Sequence, residues 1–402
     1  MYVRGIRSLF QFNGYVVSGI SMSRELVQVN LERDQRFGLT CPACGEPMHC
    51  NRVNRQTARD LPLGTAMLVM LMYPAIQGRC RSCGAWSTIH PPGIDAHARA
   101  TRRLMEFVSR AARYLPLSHI HDLVKVDDAT AGRWDRAILR DTLAPPRLDD
   151  LRVLLIDEKA VRRHHGYVTL VMNGENGELL YLAEGKKKQS LQGFFDQLNS
   201  AQKGSIQAVA MDRAGAYHQV VKEQLPQADI VFDKFHLIAS YNAVIDAVRR
   251  SEWRKASAAD KHVIKGQRYN LFRRPENRTA EQRQSLKKLL AMNHNLAATD
   301  VLKDALGHLW EYRYRGAALK YLRRWVGWAQ ETGLAAVHKF ADGLVRAQEE
   351  VLNFCEHPIT TGPLESFNNT VSRIIHRACG VRDLDYLFLK LRQESIELHL
   401  QK

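Results

Sequence analysis

Val153-Leu154-Leu155-Ile156-Asp157-Glu158-Lys159 is a short, wholly apolar run that ends abruptly in carboxylates. Such a run reads as a strand buried on both faces, its side chains alternating between the two sides of a sheet. The acid that ends it therefore stands at the sheet's edge. The pattern recurs twice, because Val209-Ala210-Met211 runs into Asp212 and Ile230-Val231-Phe232 runs into Asp233. One carboxylate at a strand end is ordinarily a solvated terminus or a helix cap. Three in succession, with Pro363-Leu364-Glu365 opening a later helix, have the composition of a cluster that holds divalent metal.

The chain has 402 residues, more than one core usually supports, so two or more domains are expected. With 58 Lys and Arg against 42 Asp and Glu, the net charge is +16, which makes a polyanion the expected partner. Arg4 and Arg7 interrupt the apolar N-terminal residues, so no secretory signal is read there. The longest apolar window, Ala66 to Ile76, is too short to span a bilayer. The expectation is a cytoplasmic protein with no membrane partner. Its seven cysteines are then reduced, and paired spacings read as metal sites before disulfides.

In chain order, Glu25 to Leu31 alternates as a half-buried strand, with Val27, Val29 and Leu31 on one face and Gln28 and Asn30 on the other. Cys41-Pro42-Ala43-Cys44 and Cys80-Arg81-Ser82-Cys83 form two CxxC knuckles, and four thiolates close a structural Zn²⁺ site. His49 and Cys50 are weaker candidate ligands, and a redox role fits two such knuckles poorly. From Thr101 the pattern turns helical, through Leu104, Phe107 and Val108, then Ile120, Leu123 and Val124 after Pro116. Asp127 or Asp128 can cap a following helix that presents Arg133, Arg136 and Arg140 on one side and packs Trp134, Ala137 and Ile138 inward. This is a helix-turn-helix candidate, with an ordinary helical hairpin as the competing reading. Pro145-Pro146 reads as a linker.

Beyond it lie a hairpin, with strands around Tyr167 to Met172 and Leu179 to Leu182, and a helix from Ser190 to Leu198. Between Arg249 and Lys288 there are 13 Lys or Arg against 4 Asp or Glu, on largely helical sequence, and a phosphate backbone explains that excess. Trp253, Trp310, Trp325 and Trp328 read as core. Pro363 suits the first turn of the helix that carries Glu365.

With the paired knuckles, the helix-turn-helix, Asp157, Asp212, Asp233-Lys234-Phe235-His236 and Thr361-Gly362-Pro363-Leu364-Glu365-Ser366-Phe367-Asn368-Asn369 in this order, the chain resembles the DDE transposases of bacterial insertion sequences, specifically the ISL-three family. The resemblance covers nearly the whole length. It implies an α/β multidomain protein: a zinc module over 1–95, a helix-turn-helix over 96–147, and a ribonuclease-H-like core over 148–250 and 356–402. A helical insertion over 251–355 splits that core, accommodating the separation of 153 positions from Asp212 to Glu365. Carried over residue by residue, the triad is Asp157, Asp212 and Glu365, while Asp233 and His236 match an auxiliary motif. Glu158 points to the opposite face of the strand from Asp157.

Converging carboxylates repel unless cations neutralise them, and hard oxygen ligands favour Mg²⁺ or Mn²⁺. The activity so implied is metal-dependent cleavage of double-stranded DNA at transposon ends and strand transfer into target DNA, by a homodimer that synapses two ends. A nucleoid-associated place in the cytoplasm follows. Two alternatives remain open: a zinc-finger, helix-turn-helix regulator whose ribonuclease-H-like domain is inactive, and a structure-specific nuclease without strand transfer.

Overall fold

The computed structural model describes residues 8–63, 67–162, 166–212, 215–273, 275–378 and 383–400. Arg4, Arg7 and Ala66, used in the sequence reading, lie outside them. Among the described residues no helix is long and apolar enough to cross a membrane. The chain divides into two compact units, Met1–Ala144 with Arg373–Gln393, and Pro145–Ser372 with Glu394–Lys402.

The first unit holds β1 (Tyr15–Met22), β2 (Leu26–Arg33), β3 (Met48–Leu63), β4 (Met67–Cys80), β5 (Trp86–Ile89), β6 (Ile94–Asp95) and β7 (Ala100–Thr101). They form a sheet of order β1-β2-β4-β3-β7-β6, with β5 paired to β4. Val27, Val29 and Leu31 of β2 are fully buried and Gln28 and Asn30 half-buried, as the alternation requires. Three helices follow: α1 (Arg102–Ala112), α2 (Leu117–Val124) and α3 (Asp128–Thr142). Side chains of Thr101 and Asp127 accept from the backbone N–H of Leu104 and Thr130, capping α1 and α3. Each such cap contributes about 1 kcal/mol. Leu104, Val108, Ile120, Val124, Trp134 and Ile138 build the core between them. Ala137, expected to face inward, is exposed, and Asp135 is buried instead.

The second unit is built on β8 (Val153–Arg162), β9 (Gly166–Asn173), β10 (Leu179–Glu184), β11 (Ala208–Met211) and β12 (Asp229–Phe232), in the order β10-β9-β8-β11-β12. β9 pairs antiparallel with β8 and β10, whereas β11 runs parallel to β8 and β12. A side chain at Gly174 would collide with Val153, so the β9–β10 turn can lie this close to β8 only with glycine there. Parallel neighbours need crossovers. These are α4 (Lys188–Phe195), α5 (Ser200–Ser205) and α6 (Gly215–Gln224), α4 beginning and ending ahead of the helix read at Ser190 to Leu198.

After β12 the chain is helical: α7 (Lys234–Lys255), α8 (Ala258–Ile264), α9 (Arg268–Phe272), α10 (Ala280–Met292), α11 (His294–Gly307), α12 (Arg315–Glu331), α13 (Ala335–Arg346) and α14 (Gln348–Leu352). Then come α15 (Gly362–Arg377) and α16 (Leu384–Leu400). Tyr241, Trp325 and Phe340 meet edge to face with ring centroids 5.0 to 6.0 Å apart. Trp328 and Trp253, read as core, are 39% and 41% exposed. The buried stripe of α12 runs through Ala318, Leu322, Trp325 and Ala329, and Trp328 stands beside it.

Within the first unit, α16 fastens to α3 through Asp135. This fully buried carboxylate accepts from Ser109 Oγ at 2.7 Å, Lys390 Nζ at 3.0 Å and the Tyr386 hydroxyl. A buried charge is tolerated because its oxygens are satisfied.

Candidate active site

β11 and β12 end beside the middle of β8. That strand does not stop at Asp157, as the sequence reading expected, but runs on to Arg162, because its antiparallel pairing with β9 continues past the acid. In the two parallel registers Met211 stands opposite Ile156 on one side and Phe232 on the other. The residues that follow, Asp157 within β8 and Asp212 and Asp233 just past β11 and β12, therefore stand in one row across the sheet.

Asp157 is held at both oxygens. Its Oδ1 accepts from the Glu158 backbone N–H at 2.8 Å and its Oδ2 from Asn368 Nδ2 at 2.7 Å. Burial raises its pKa above the ordinary carboxylate value; the two hydrogen bonds and His236 act against that rise, and the Asp212 carboxylate adds to it. Asp233 caps α7, its Oδ2 accepting from the His236 backbone N–H at 3.3 Å. That cap sets the imidazole, with Nδ1 3.4 Å from Asp212 Oδ2 and Nε2 4.0 Å from Asp233 Oδ2. Glu365 is exposed in the first turn of α15, while Leu364, Phe367 and Val371 bury the helix's apolar face. Asn368 lies three residues on, on the same side of the helix as Glu365. Its contact with Asp157 ties α15 to β8.

Buried Oδ1 atoms of Asp233 and Asn368 have no hydrogen-bond partner among the described residues. Oxygen acceptors outnumber donors here, and a hard cation suits such a donor set. Among the described residues, two groups bring three or more ligand atoms within 4.8 Å of one another: the four knuckle cysteines, and Asp229 with Glu356 and His357. Asp157, Asp212 and Glu365 do not form a third. Asp229 opens β12 and so lies at the other end of that strand from Asp233, with its Oδ2 3.0 Å from His357 Nε2.

Two features escaped the sequence. For the contact of Asn368 with Asp157, spacing puts Asn368 on the side of Glu365 but does not name the strand it meets. Tyr217 of α6 had no signal: its hydroxyl lies 2.6 Å from Thr169 Oγ1, and its pKa is pushed up to about 12, mainly by burial.

Residues 154–391 match the family model described as a transposase, of the ISL-three DDE type. The sequence is also 31% identical, over 360 residues spanning 88% of each chain, to the transposase for insertion sequence element IS1001 of Bordetella parapertussis. It is 27% identical over 351 residues, 81% of this chain and 78% of the relative, to the transposase for insertion sequence element IS1557 of Mycobacterium tuberculosis. The chain belongs to the ISL-three family of DDE transposases. The matched span of this transposase contains Asp157, Asp212, Asp233, His236 and Glu365 and begins after all four knuckle cysteines.

Those cysteines come together in the first unit of the transposase. Cys41 Sγ lies 3.7 Å from Cys83 Sγ, and Cys44 Sγ 3.6 Å from Cys80 Sγ. Four thiolates around zinc, each at about 2.3 Å, leave sulfurs about 3.8 Å apart, so the set is compatible with that ion. Each knuckle closes on a glycine in the left-handed region, Gly45 at φ +77° and Gly84 at φ +72°, whose N–H donates to the carbonyl of Cys41 or Cys80. The Cys83 backbone N–H, with that of Ser82, holds the Cys80 thiol at about 6 against the opposing effect of burial. His49 and Cys50 stay outside the cluster.

On α3 of the transposase, Arg133 and Arg140 are exposed. Arg136 is drawn instead to Asp383, with Nη2 2.7 Å from Oδ2, and lies over the Tyr386 ring.

Proposed function

We propose that this transposase cuts double-stranded DNA at the terminal inverted repeats of its element and transfers the freed strands to target DNA, with Asp157, Asp212 and Glu365 as the catalytic carboxylates. The observation that carries the reading is the Asn368–Asp157 hydrogen bond, 2.7 Å long, which joins the helix of Glu365 to the strand of Asp157. Sheet order β10-β9-β8-β11-β12, with two antiparallel pairings followed by two parallel ones, supports a ribonuclease-H-like core split by the helices of 251–355.

Asp157, Asp212 and Glu365 would hold Mg²⁺ or Mn²⁺, for which an all-oxygen donor set is the natural one. When bound, these ions supply Lewis-acid activation of the attacking oxygen and charge stabilisation of the leaving one. Water is the first nucleophile and the freed 3′-hydroxyl the second, each breaking one phosphorus–oxygen bond as it forms another. Asn368 orients Asp157, and Asp233, by capping α7, orients His236 toward Asp212. Zn²⁺ on Cys41, Cys44, Cys80 and Cys83 is structural, in a module reaching to residue 95. The helices of 96–147 act as a helix-turn-helix in which Arg133 and Arg140, with Arg136 when released from Asp383, meet DNA. A homodimer synapses the two ends.

The test is a cleavage and joining assay on duplexes carrying the element's own ends. The parent chain with Mg²⁺ is expected to nick the end and join it to a second duplex. Asp157→Asn is expected to do neither, and retained cutting would remove Asp157 from the chemistry.

A further inference from the structure

The second unit carries a recess that the cleavage chemistry does not use. A cavity of about 520 Å³ lies between β9, β10 and the start of α4, lined among others by Tyr167, Tyr181, Lys186, Lys187, Gln189 and Ser190. That volume is in the range of small-molecule pockets, roughly 300 to 1,000 Å³. Two of its walls are aromatic. Tyr181 packs its ring on Phe194, with centroids 5.7 Å apart, and its hydroxyl sits tight against Gly193, so the ring is fixed in place.

The rest of the lining carries two lysines against one acid, Glu184, with neutral residues between them. Lys186 and Lys187 line the recess, and Lys188 follows them in sequence, all three exposed. The Lys186 ammonium lies over the Tyr167 ring, 3.9 Å from its centroid, and 3.7 Å from Glu158 Oε1, so a base can reach that face of Tyr167 only as Lys186 swings onto its phosphate. Thr169 Oγ1 donates to the Gly185 carbonyl at 2.9 Å, tying the lysine-bearing turn to β9. Tyr167 pairs with Ala160, three residues along β8 from Asp157, a strand distance of about 10 Å. The recess opens on the sheet face of Glu158, opposite the one to which Asp157 points.

We propose that this recess binds one unpaired nucleotide of single-stranded DNA, its base stacked against Tyr167 and Tyr181 and its phosphate on Lys186 and Lys187. A base in a duplex has both its faces covered by neighbours and shows only its edges in the grooves; an aromatic recess therefore selects a base that has left the stack. The lysines select the anionic backbone over a neutral aromatic ligand. The inference rests on the chain acting on DNA, and the test below uses neither added divalent metal nor cleavage. Its failure is therefore separable from a failure of the carboxylate chemistry, which the Asp157→Asn assay reads.

The test is fluorescence anisotropy of a labelled oligothymidylate, and of a duplex, with the full-length chain. Tyr167→Ala and Lys186→Ala are expected to weaken oligothymidylate binding by about five- to tenfold each, with duplex binding changed less than about twofold. Tyr167→Phe is expected to bind as the parent does. An unchanged affinity in both weakened variants would overturn the proposal, as would an equal loss on the duplex. Full displacement of the oligothymidylate by thymidine monophosphate at equal nucleotide concentration would also overturn it, by marking a site for the free nucleotide.

Discussion

Asp157 accepts one hydrogen bond on each oxygen, one from its own neighbour Glu158 and one from Asn368, 211 positions away. The first fixes the carboxylate against its own strand; the second makes its orientation depend on α15. Losing a group that orients a metal ligand usually costs 10- to 100-fold in affinity or activity. Asn368→Ala is therefore expected to lower the cleavage rate by about 10- to 100-fold while duplex binding stays within about twofold. Asn368→Asp is expected to be worse, because it places a second carboxylate against Asp157. An Asn368→Ala chain that cuts as fast as the parent would show that Asp157 orients itself. That an acid meets the apolar run here was legible in the sequence, but that the strand continues past it was not, because the pairing with β9 that extends β8 is not a local property. Nor was the acid's partner, since helical spacing puts Asn368 on the side of Glu365 without saying which strand that side meets.

Ion pairs that join elements give predictions on stability. Glu350 of α14 is nearly buried and accepts from His218 Nε2 at 2.8 Å and Lys222 Nζ at 3.1 Å, both on α6. Burial alone would raise its pKa; the backbone, His218 and Lys222 bonds outweigh that and leave it lowered. A carboxylate with a lowered folded-state pKa stabilises the fold above its unfolded value and loses that contribution as pH falls through the folded one. Glu350→Gln should therefore reduce denaturant stability at neutral pH by about 1 to 3 kcal/mol. The gap to the parent should close in acid; a gap that widens there would contradict the assignment. In the first unit, Lys390→Ala leaves the buried Asp135 without its cation, and breaking a buried pair in this way costs about 3 to 5 kcal/mol. Chemical denaturation reads that loss directly, and a change under about 1 kcal/mol would mean that Ser109 and Tyr386 suffice for Asp135.

The same helices mark where sequence reading stopped. A cap at Asp127 or Asp128 and a core of Trp134 and Ile138 followed from spacing, because both are local properties of α3; the structure makes Asp127 the cap and puts Asp128 in the first turn. The exchange of Ala137 for Asp135 at the buried face did not, because a charged residue goes inward only when a distant lysine meets it. Trp328 and Trp253 were misplaced for a related reason: bulk argues for burial, but a helix has one covered face, and these two fall beside it.

At the scale of the whole molecule, zinc and charge make the predictions. Each knuckle offers two thiolates from a turn that glycine permits, and metal binding of this class contributes roughly 10 to 16 kcal/mol in small zinc modules. Cys41→Ser is expected to abolish stoichiometric zinc on elemental analysis and to destabilise the first unit, while a variant that keeps both zinc and stability would displace Cys41 from the site. The net charge of +16 predicts that end-DNA affinity falls steeply with salt, as phosphate-bound counterions are released. Composition made the polyanion legible, and two matched spacings made the cysteine cluster legible. The row of acids across β8, β11 and β12 was suggested by three apolar runs that each meet an aspartate, of which only those of β11 and β12 end there, and the parallel register depends on crossovers that no local pattern encodes.

The central claim is that three carboxylates from distant parts of the chain act as one catalytic unit. It is tested most directly by comparing Mg²⁺-dependent cutting of end DNA by Asp157→Asn, Asp212→Asn, Glu365→Gln and the triple variant, each first shown to bind that DNA as the parent does. Residues that act as a unit are non-additive, so each single variant is predicted to fall to the same residual rate as the triple. A Glu365→Gln chain that cuts at the parent rate would contradict the account.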